Sequence, residues 1–307
     1  METQYGNPGF SPGIFLGGAE GKLRSFYEFV MYSSLFVAFA AAGMVYTSYA
    51  IEGVIPSVAG IAIMFLVAFS VYNLNRKTDE AEDSINHQGR FAFTKKFEKV
   101  LFFSALACYA LAVFIAIPYG IFPVLVTLVP LLAGILYSVP CLPRRMRYRR
   151  LKEIPVVKNL VVAFAWSLTL TFLPVSVGVT FSPMKVLLAF IFFTSYVFIA
   201  STIPDIRDRE GDALSGVRTI PVILGVERTT MLLTGINLAV GGFSVLISVR
   251  MLPAIFTLML AAGVAYIHLC IHSFYHLRSR DVVCDLLSDG QFIIFGGAIW
   301  AFRGISG

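Results

Sequence analysis

The chain has 307 residues, of which 57% are hydrophobic and only 14% charged, with a net charge of +6 and a mean hydropathy of +0.80. Water-soluble domains are about half apolar and a quarter charged, so this balance excludes an ordinary soluble domain. The apolar excess falls in runs of roughly 20 residues, each long enough to cross about 30 Å of hydrocarbon, and none shows the period-two alternation of a barrel strand.

The sequence therefore predicts an all-α integral membrane protein. Residues 1–25 read as a polar segment ahead of the first apolar run, which is too long for a signal-peptide core, so no cleavage is expected. Nine spans follow, at 26–48, 55–74, 100–118, 121–140, 159–180, 185–204, 230–249, 254–275 and 290–304. Basic residues alternate with them. The stretch 75–99 carries six Lys or Arg, 141–158 seven, 205–228 four and 276–289 two, and Lys22 and Arg24 precede the first span. Only Lys185, Arg250 and Arg303 fall on the other side, so 21 of 24 basic residues share one face of the membrane. This asymmetry predicts nine transmembrane helices in one bundle, a single domain over 1–307, with the N-terminus and charged loops cytoplasmic. It also accounts for the positive charge without a nucleic-acid partner.

Two acidic clusters break the apolar pattern, each just beyond a span. NLNRKTDEAED (residues 73–83) follows the second span and DIRDREGD (205–212) the sixth. On a helix, Asn75, Asp79 and Asp83 at i, i+4 and i+8 share one face, as do Asp205, Asp208 and Asp212 at i, i+3 and i+7. Four helices separate the clusters, a hint of two similar halves. Either cluster alone reads as solvated loop charge. Two carboxylate stripes on the same side point further, because converging carboxylates repel unless a cation lies between them. Mg²⁺ suits them, since it takes hard oxygen ligands, one or two carboxylates at a time, and completes its shell with water and phosphate. The pair thus predicts a Mg²⁺–diphosphate site at the cytoplasmic membrane surface.

Basic residues stand where a diphosphate would want them. Arg90 lies in SINHQGR, and the loop PRRMRYRRLKEIPVVKN carries Arg144, Arg145, Arg147, Arg149, Arg150, Lys152 and Lys158. Alone, that loop reads as positive-inside charge in contact with anionic lipid. Beside two metal-binding stripes a subset becomes a phosphate clamp, with Arg90, Arg144, Arg145 and Lys152 as candidates, because guanidinium groups match phosphate oxygens bidentately.

Other patterns carry less. Cys108, Cys141, Cys270 and Cys284 are scattered without C-x-x-C pairing, which argues against a disulfide framework or zinc site. His268, His272 and His276 recur every four residues and read as interfacial polar packing. Asp281, Asp285 and Asp289 form a third i, i+4, i+8 series, explained by a capped, solvated surface helix. There is no G-x-x-x-x-G-K-[ST] loop and no G-x-S-x-G elbow, so ATP-driven transport and elbow-type hydrolysis lack support.

The two clusters resemble the motifs of the UbiA superfamily of intramembrane prenyltransferases. The family's N-D-x-x-D-x-x-x-D aligns with Asn75 to Asp83, D-x-x-D-x-x-x-D is matched by Asp205, Asp208 and Asp212, and Tyr-x-x-x-Lys by Tyr148 and Lys152. Arg76 departs from the pattern, standing where the family places the first motif's leading Asp. The resemblance implies Mg²⁺-dependent transfer of an isoprenyl chain from its diphosphate to a membrane-associated acceptor. It implies metal ligation, with two Mg²⁺ ions, by Asn75, Asp79, Asp83, Asp205, Asp208 and Asp212. It places catalysis on Asp79, Asp83, Asp205, Asp208, Tyr148 and Lys152, and diphosphate binding on Asn75, Arg90, Arg144, Arg145 and Lys152. An archaeal-type member is suggested, with a geranylgeranyl donor and an aromatic quinone-type ring or a lipid glyceryl phosphate as acceptor, in a multi-pass cell-membrane protein whose active site faces the cytoplasm. Ionisation of the donor leaves an allylic cation that needs a dry chamber and is stabilised by aromatic faces. Trp166, Phe192, Phe193, Tyr196 and Phe198 are the candidates for its wall, each against the plainer reading of ordinary packing. The main rival is a secondary transporter, which would carry its ionisable groups near midspan rather than at the cytoplasmic ends. A CDP-alcohol phosphotransferase would need one contiguous motif with Asp-Gly and Ala-Arg, which is absent.

Overall fold

The computed structural model describes residues 19–140, 143, 148–178, 182–214, 216–273 and 282–306. Among these the chain is helical, with no strand. In order the helices are α1 (Ala19–Tyr32), α2 (Leu35–Glu52), α3 (Val58–Thr78), α4 (Glu80–Asn86), α5 (Gln88–Lys96), α6 (Glu98–Ala116), α7 (Ile121–Ser138), α8 (Val157–Val177), α9 (Pro183–Leu214), α10 (Ile220–Leu224), α11 (Val226–Ile236), α12 (Gly242–Met251), α13 (Ala254–Ser273) and α14 (Ser288–Ser306). A π-helical turn, Asn237–Gly241, joins α11 to α12, so that Val226–Met251 runs as one apolar segment.

Eight segments are long and apolar enough to cross a membrane: α2, α3, Glu98–Tyr119, α7, α8, α9, Val226–Met251 and α13. They overlap the first eight predicted spans, except that the first, 26–48, is broken between α1 and α2 and its apolar helix runs Leu35–Glu52; the chain is a multi-pass membrane protein. The predicted ninth span falls on α14, whose Asp289, Gln291 and Arg303 dilute its apolar run and leave it outside that set.

The helices close a ring. α2 packs on α3, α3 on α6 and α7, α7 on α8, α8 on α9, α9 on α12, α13 on α14, and α14 back on α2. Tyr49, Ile63, Met64, Leu170, Phe193 and Phe292 are buried within it. Val58, Phe114, Leu246 and Trp300 stay exposed on the outside, as a lipid-facing surface requires because hydrocarbon is as apolar as they are. The helical backbone pairs most polar groups within each spanning segment, the condition for crossing the bilayer, with Pro130, Pro174 and Pro204 interrupting the ladder inside α7, α8 and α9.

Between α2 and α14 the approach is set by glycine. A Cβ at Gly43 would lie 2.2 Å from the Phe292 carbonyl oxygen, and one at Gly296 would lie 3.0 Å from the Gly43 Cα. Small residues let membrane helices approach this closely. A Gly43→Ala variant is expected to lose about 1–3 kcal/mol by forcing the backbones apart, read as a lowered Tm in detergent; a wild-type melt would contradict the contact.

Two local features differ from the sequence reading. α9 runs unbroken from Pro183 to Leu214, so DIRDREGD is a continuation of the sixth span rather than a separate segment beyond it. The first stripe, by contrast, is not on one helix. Asp79 has φ −108° and ψ 15° between α3 and α4, and Thr78 Oγ1 donates to the Asn75 carbonyl at 2.7 Å. The kink preserves the bonds Asp79 N to Asn75 O (3.0 Å) and Asp83 N to Asp79 O (2.9 Å), so the stripe bends without losing its spacing.

Candidate active site

A cavity of about 420 Å³ opens inside the ring, with wall residues from α1 through α5, α7, α8, α9 and α14. Its polar wall includes Asn75, Arg76, Asp79, Asp83, His87, Arg90, Lys158, Asn159, Asp205, Arg207 and Asp208. Its apolar wall includes Phe36, Met44, Met64, Leu170, Trp166 and Tyr196. Asn75, Asp79 and Asp83 of the first stripe and Asp205 and Asp208 of the second therefore line one cavity. Gly211 makes their approach possible, since a Cβ there would lie 1.7 Å from Asn86 Oδ1 on α4, and Asn86 Nδ2 reaches Asp212 Oδ1 at 3.4 Å.

Each carboxylate that lines the cavity on α9 or near the kink faces a cation. Lys152 Nζ donates to Asp79 Oδ1 at 2.7 Å, Arg90 Nη2 to Asp83 Oδ1 at 2.6 Å, and Lys158 Nζ to Asp205 Oδ1 at 2.6 Å. Arg207 holds Asp208 through Nε at 2.8 Å and Nη2 at 3.2 Å, with His87 Nε2 3.3 Å from Asp208 Oδ2 and 2.9 Å from Arg207 Nη2. His87 Nε2 accepts from Arg207 in one tautomer and donates to Asp208 in the other. These pairs answer the repulsion that two converging stripes would otherwise suffer.

The local chain explains why these cations are in place. Arg149 N and Arg150 N donate to Glu153 Oε2 at 2.8 and 3.3 Å, closing the turn Leu151–Glu153 that presents buried Lys152 to Asp79. Burial pushes the Glu153 carboxyl up, but those two N–H groups and Arg150 outweigh it and hold it below the usual range. At α8, Val156 takes φ +67°, uncommon for a β-branched residue, and so turns Lys158 and Asn159 inward. Pro204 cannot donate to the Ala200 carbonyl, which opens α9 there. Asn159 Nδ2 meets this stretch at the Ser201 carbonyl (3.1 Å) and Asp205 Oδ2 (3.1 Å). Outside the cavity, Lys95 and Lys77 hold the Glu80 carboxyl below its ordinary range, a solvated network that also includes Glu98.

The predicted residues divide as follows. Asn75, Asp79, Asp83, Arg90, Asp205 and Asp208 line the cavity, and Lys152 reaches it through Asp79. Asp212 is buried behind that wall, where its Oδ2 meets no donor in good geometry among the described residues. Tyr148 is half-buried in the loop and is not among the wall residues. Arg144, Arg145, His276 and Asp281 lie outside the described residues, as does the side chain of Asp285. Arg76 lines the cavity and donates through Nη2 to the Met31 carbonyl at 3.3 Å. Of the five proposed aromatic wall residues only Trp166 and Tyr196 line this cavity; Phe192, Phe193 and Phe198 are packed in the core, the plainer alternative. His268 and His272 pack ring to ring with centroids 4.6 Å apart. His87, Arg207, Asn159 and Tyr72 were not read as site residues from the sequence. His87 and Arg207 had a signal, since each sits inside or beside a motif; Lys158 was only one of a run of loop cations, and Tyr72, stacked on Trp166 at 5.8 Å, had none.

Among the described residues no three of His, Cys, Asp and Glu are gathered closely enough to hold a metal as they stand. The donor set nevertheless fits a hard cation, being entirely oxygen on both stripes, with a buried Asp212 oxygen still lacking a partner.

The profile of the UbiA prenyltransferase family matches residues 35–287. Among solved structures, the fold is similar to an apo UbiA homolog from Aeropyrum pernix K1, with a TM-score of 0.65 and 15% identity over 88% of this chain and 97% of that one. It is also similar to a UbiA homolog from Archaeoglobus fulgidus bound to GPP and Mg²⁺, with a TM-score of 0.64 and 16% identity over 89% and 99% of the two chains. A structure concerned with digeranylgeranylglyceryl phosphate synthase in membranes gives a TM-score of 0.55 and 15% identity, covering 91% of this chain and 95% of that one. No curated protein sequence matches.

Proposed function

The chain belongs to the UbiA prenyltransferase family, enzymes of prenyl transfer, and on that premise we propose that it moves a geranylgeranyl chain from its diphosphate to a membrane-associated acceptor, an aromatic quinone-type ring or a lipid glyceryl phosphate. The observation that carries this reading is the meeting of both acidic stripes at one end of a cavity whose remaining wall is mostly apolar. The diphosphate belongs at the polar end and the isoprenoid chain along Met44, Met64, Trp166 and Leu170. Structures of relatives bound to GPP or DMAPP with Mg²⁺ support a diphosphate and a divalent ion here.

Asn75, Asp79 and Asp83 on one side and Asp205, Asp208 and Asp212 on the other would hold Mg²⁺, as two ions. When bound, the metal supplies Lewis-acid neutralisation of the charge that builds on the departing diphosphate. Lys152, Arg90, Lys158 and Arg207 now neutralise the same carboxylates. The same four side chains are the donors that would bind the diphosphate oxygens, where preorganised donors stabilise the leaving group. Arg76 joins them from the cavity wall, in the place of the family's Asp. The apolar wall excludes water, which would otherwise capture the allylic cation. The basic-residue asymmetry supports nine spans, with α14 as the last, one domain, and an active site facing the cytoplasm.

The test uses labelled geranylgeranyl diphosphate with three acceptors, 4-hydroxybenzoate, 1,4-dihydroxy-2-naphthoate and geranylgeranylglyceryl phosphate, read by mass spectrometry with Mg²⁺ and after EDTA. One acceptor is expected to gain the chain in a Mg²⁺-dependent reaction. EDTA-resistant transfer would contradict the metal's role, and no diphosphate release with any acceptor would overturn the reading.

A further inference from the structure

The length of a donor chain can be read only at the apolar end of the cavity, and three helices supply that end. Asn73 Nδ2 donates to the Ser33 carbonyl at 3.0 Å and Arg76 Nη2 to the Met31 carbonyl at 3.3 Å, so the start of α2 lies level with the polar end of α3. From there α2 and α3 run along the cavity side by side, and α8 starts at the same polar end with Lys158 and Asn159. Among the described residues, the wall residue furthest from the stripes is Met44 on α2, Met64 on α3 and Leu170 on α8. The α7 and α9 walls stop at Pro130 and Tyr196.

These three side chains share one level. Counted from the opposite ends of their helices, at Glu52, Val58 and Val177, each sits about 9–12 Å in, at ~1.5 Å per residue. Beyond that level the helices close on one another. A Cβ at Gly60 of α3 would collide with the Tyr49 hydroxyl of α2 and meet Val177 of α8, and Tyr49, Ile63 and Leu173 are fully buried there. Met64 and Leu170 themselves expose 1% and 0% of their surface, so the cavity ends on them. Nearer the stripes the wall is lined by small side chains, Ala41, Ala133 and Ala165, which leave room for a chain.

We propose that Met44, Met64 and Leu170 form a floor that limits the donor to four isoprene units. This rests on the prenyl-transfer reading above and supplies the residues that select the geranylgeranyl chain. Asn75 to Met64 spans about 16 Å along α3, and Lys158 to Leu170 about 18 Å along α8. An isoprene unit adds four bonds to the chain, about 4.5 Å when extended, in proportion to the ~3.4 Å that three polypeptide bonds span. The depth therefore holds four units at most, with the chain end against the two methionines and the leucine. A fifth unit has to displace side chains backed by fully buried residues, which a close-packed interior resists. Methionine suits the contact, since its unbranched thioether follows an irregular chain end.

The experiment supplies diphosphates of three, four and five isoprene units, with Mg²⁺ and whichever of the three acceptors wild type uses, and reads kcat/KM for each donor. Wild type is expected to use the five-unit donor about 10–100-fold less well than the four-unit donor, the range by which an apolar pocket discriminates size. Met64→Ala and Leu170→Ala deepen the chamber, and each should raise the ratio of five-unit to four-unit use about tenfold. Ala41→Leu makes it shallower and should shift preference from the four-unit to the three-unit donor by a similar factor. Each ratio is taken within one variant, so a loss of folded protein, which slows every donor alike, leaves it unmoved. Use of the five-unit donor by wild type as well as the four-unit donor overturns the proposal, because the chain then leaves the chamber by another route. A wild-type preference for three units overturns it too, as do ratios unchanged in the variants. A wild-type protein that releases no diphosphate from any donor with any acceptor overturns the prenyl-transfer reading itself, an outcome distinct from these.

Discussion

An Asp208→Asn variant is expected to release diphosphate about 10²–10³-fold more slowly than wild type. Asn keeps the shape of Asp and an oxygen that can still accept from Arg207, whose Nε lies 2.8 Å from Asp208 Oδ1. What the substitution removes is the negative charge that a divalent ion requires. The rate loss should therefore fall on metal-dependent chemistry, read on the folded fraction because buried Arg207 also loses its counter-charge. Asp79→Asn tests the other stripe in the same way, because Lys152 keeps a hydrogen-bond acceptor there too. Undiminished release by both purified variants would remove the stripes from the mechanism.

Lys158→Met should have the largest effect on stability in the absence of metal. Lys158 Nζ lies 2.6 Å from Asp205 Oδ1, in a pair whose side chains are only 23% and 7% exposed. Removing one partner of a buried pair strands the other charge, at a cost of about 3–5 kcal/mol. If Asp205 is a metal ligand, Mg²⁺ can replace the missing cation. The variant's Tm should therefore fall sharply in EDTA and recover with saturating Mg²⁺ far more than wild type gains. A fall of the same size with and without Mg²⁺ would show that the carboxylate is not reached by metal.

The membrane fold was legible because hydrocarbon thickness imposes a length on every spanning helix, and the first eight apolar runs meet it. The acidic stripes were legible for a related reason, since spacing of three and four residues fixes a face whatever the helix packs against. The bend at Asp79 was not legible, because it depends on the Thr78 side chain and on Lys152 arriving from a distant loop. Within PRRMRYRRLKEIPVVKN the sequence singled out Lys152 through Tyr-x-x-x-Lys, but neither its pairing with Asp79 nor the choice of Lys158 was legible. Lys152 is selected by the turn that Glu153 closes, and Lys158 by its place at the start of α8. The aromatic wall divided by direction rather than by residue type. Tyr196 faces the cavity, whereas Phe192 and Phe193 point into the core, a distinction that only the packing of α9 decides. Asp289 was visible as part of a regular acidic series but read as solvated, because nothing local showed that its turn borders the cavity.

The most direct measurement is calorimetric titration of geranylgeranyl thiodiphosphate, which resists ionisation, into wild type and the Asp79→Asn/Asp208→Asn double variant, each with Mg²⁺ and with EDTA. Tight binding by wild type only in Mg²⁺, abolished in the double variant, is the predicted result. Equally tight binding in EDTA, or by the double variant, would contradict a metal–diphosphate site built from the two acidic stripes.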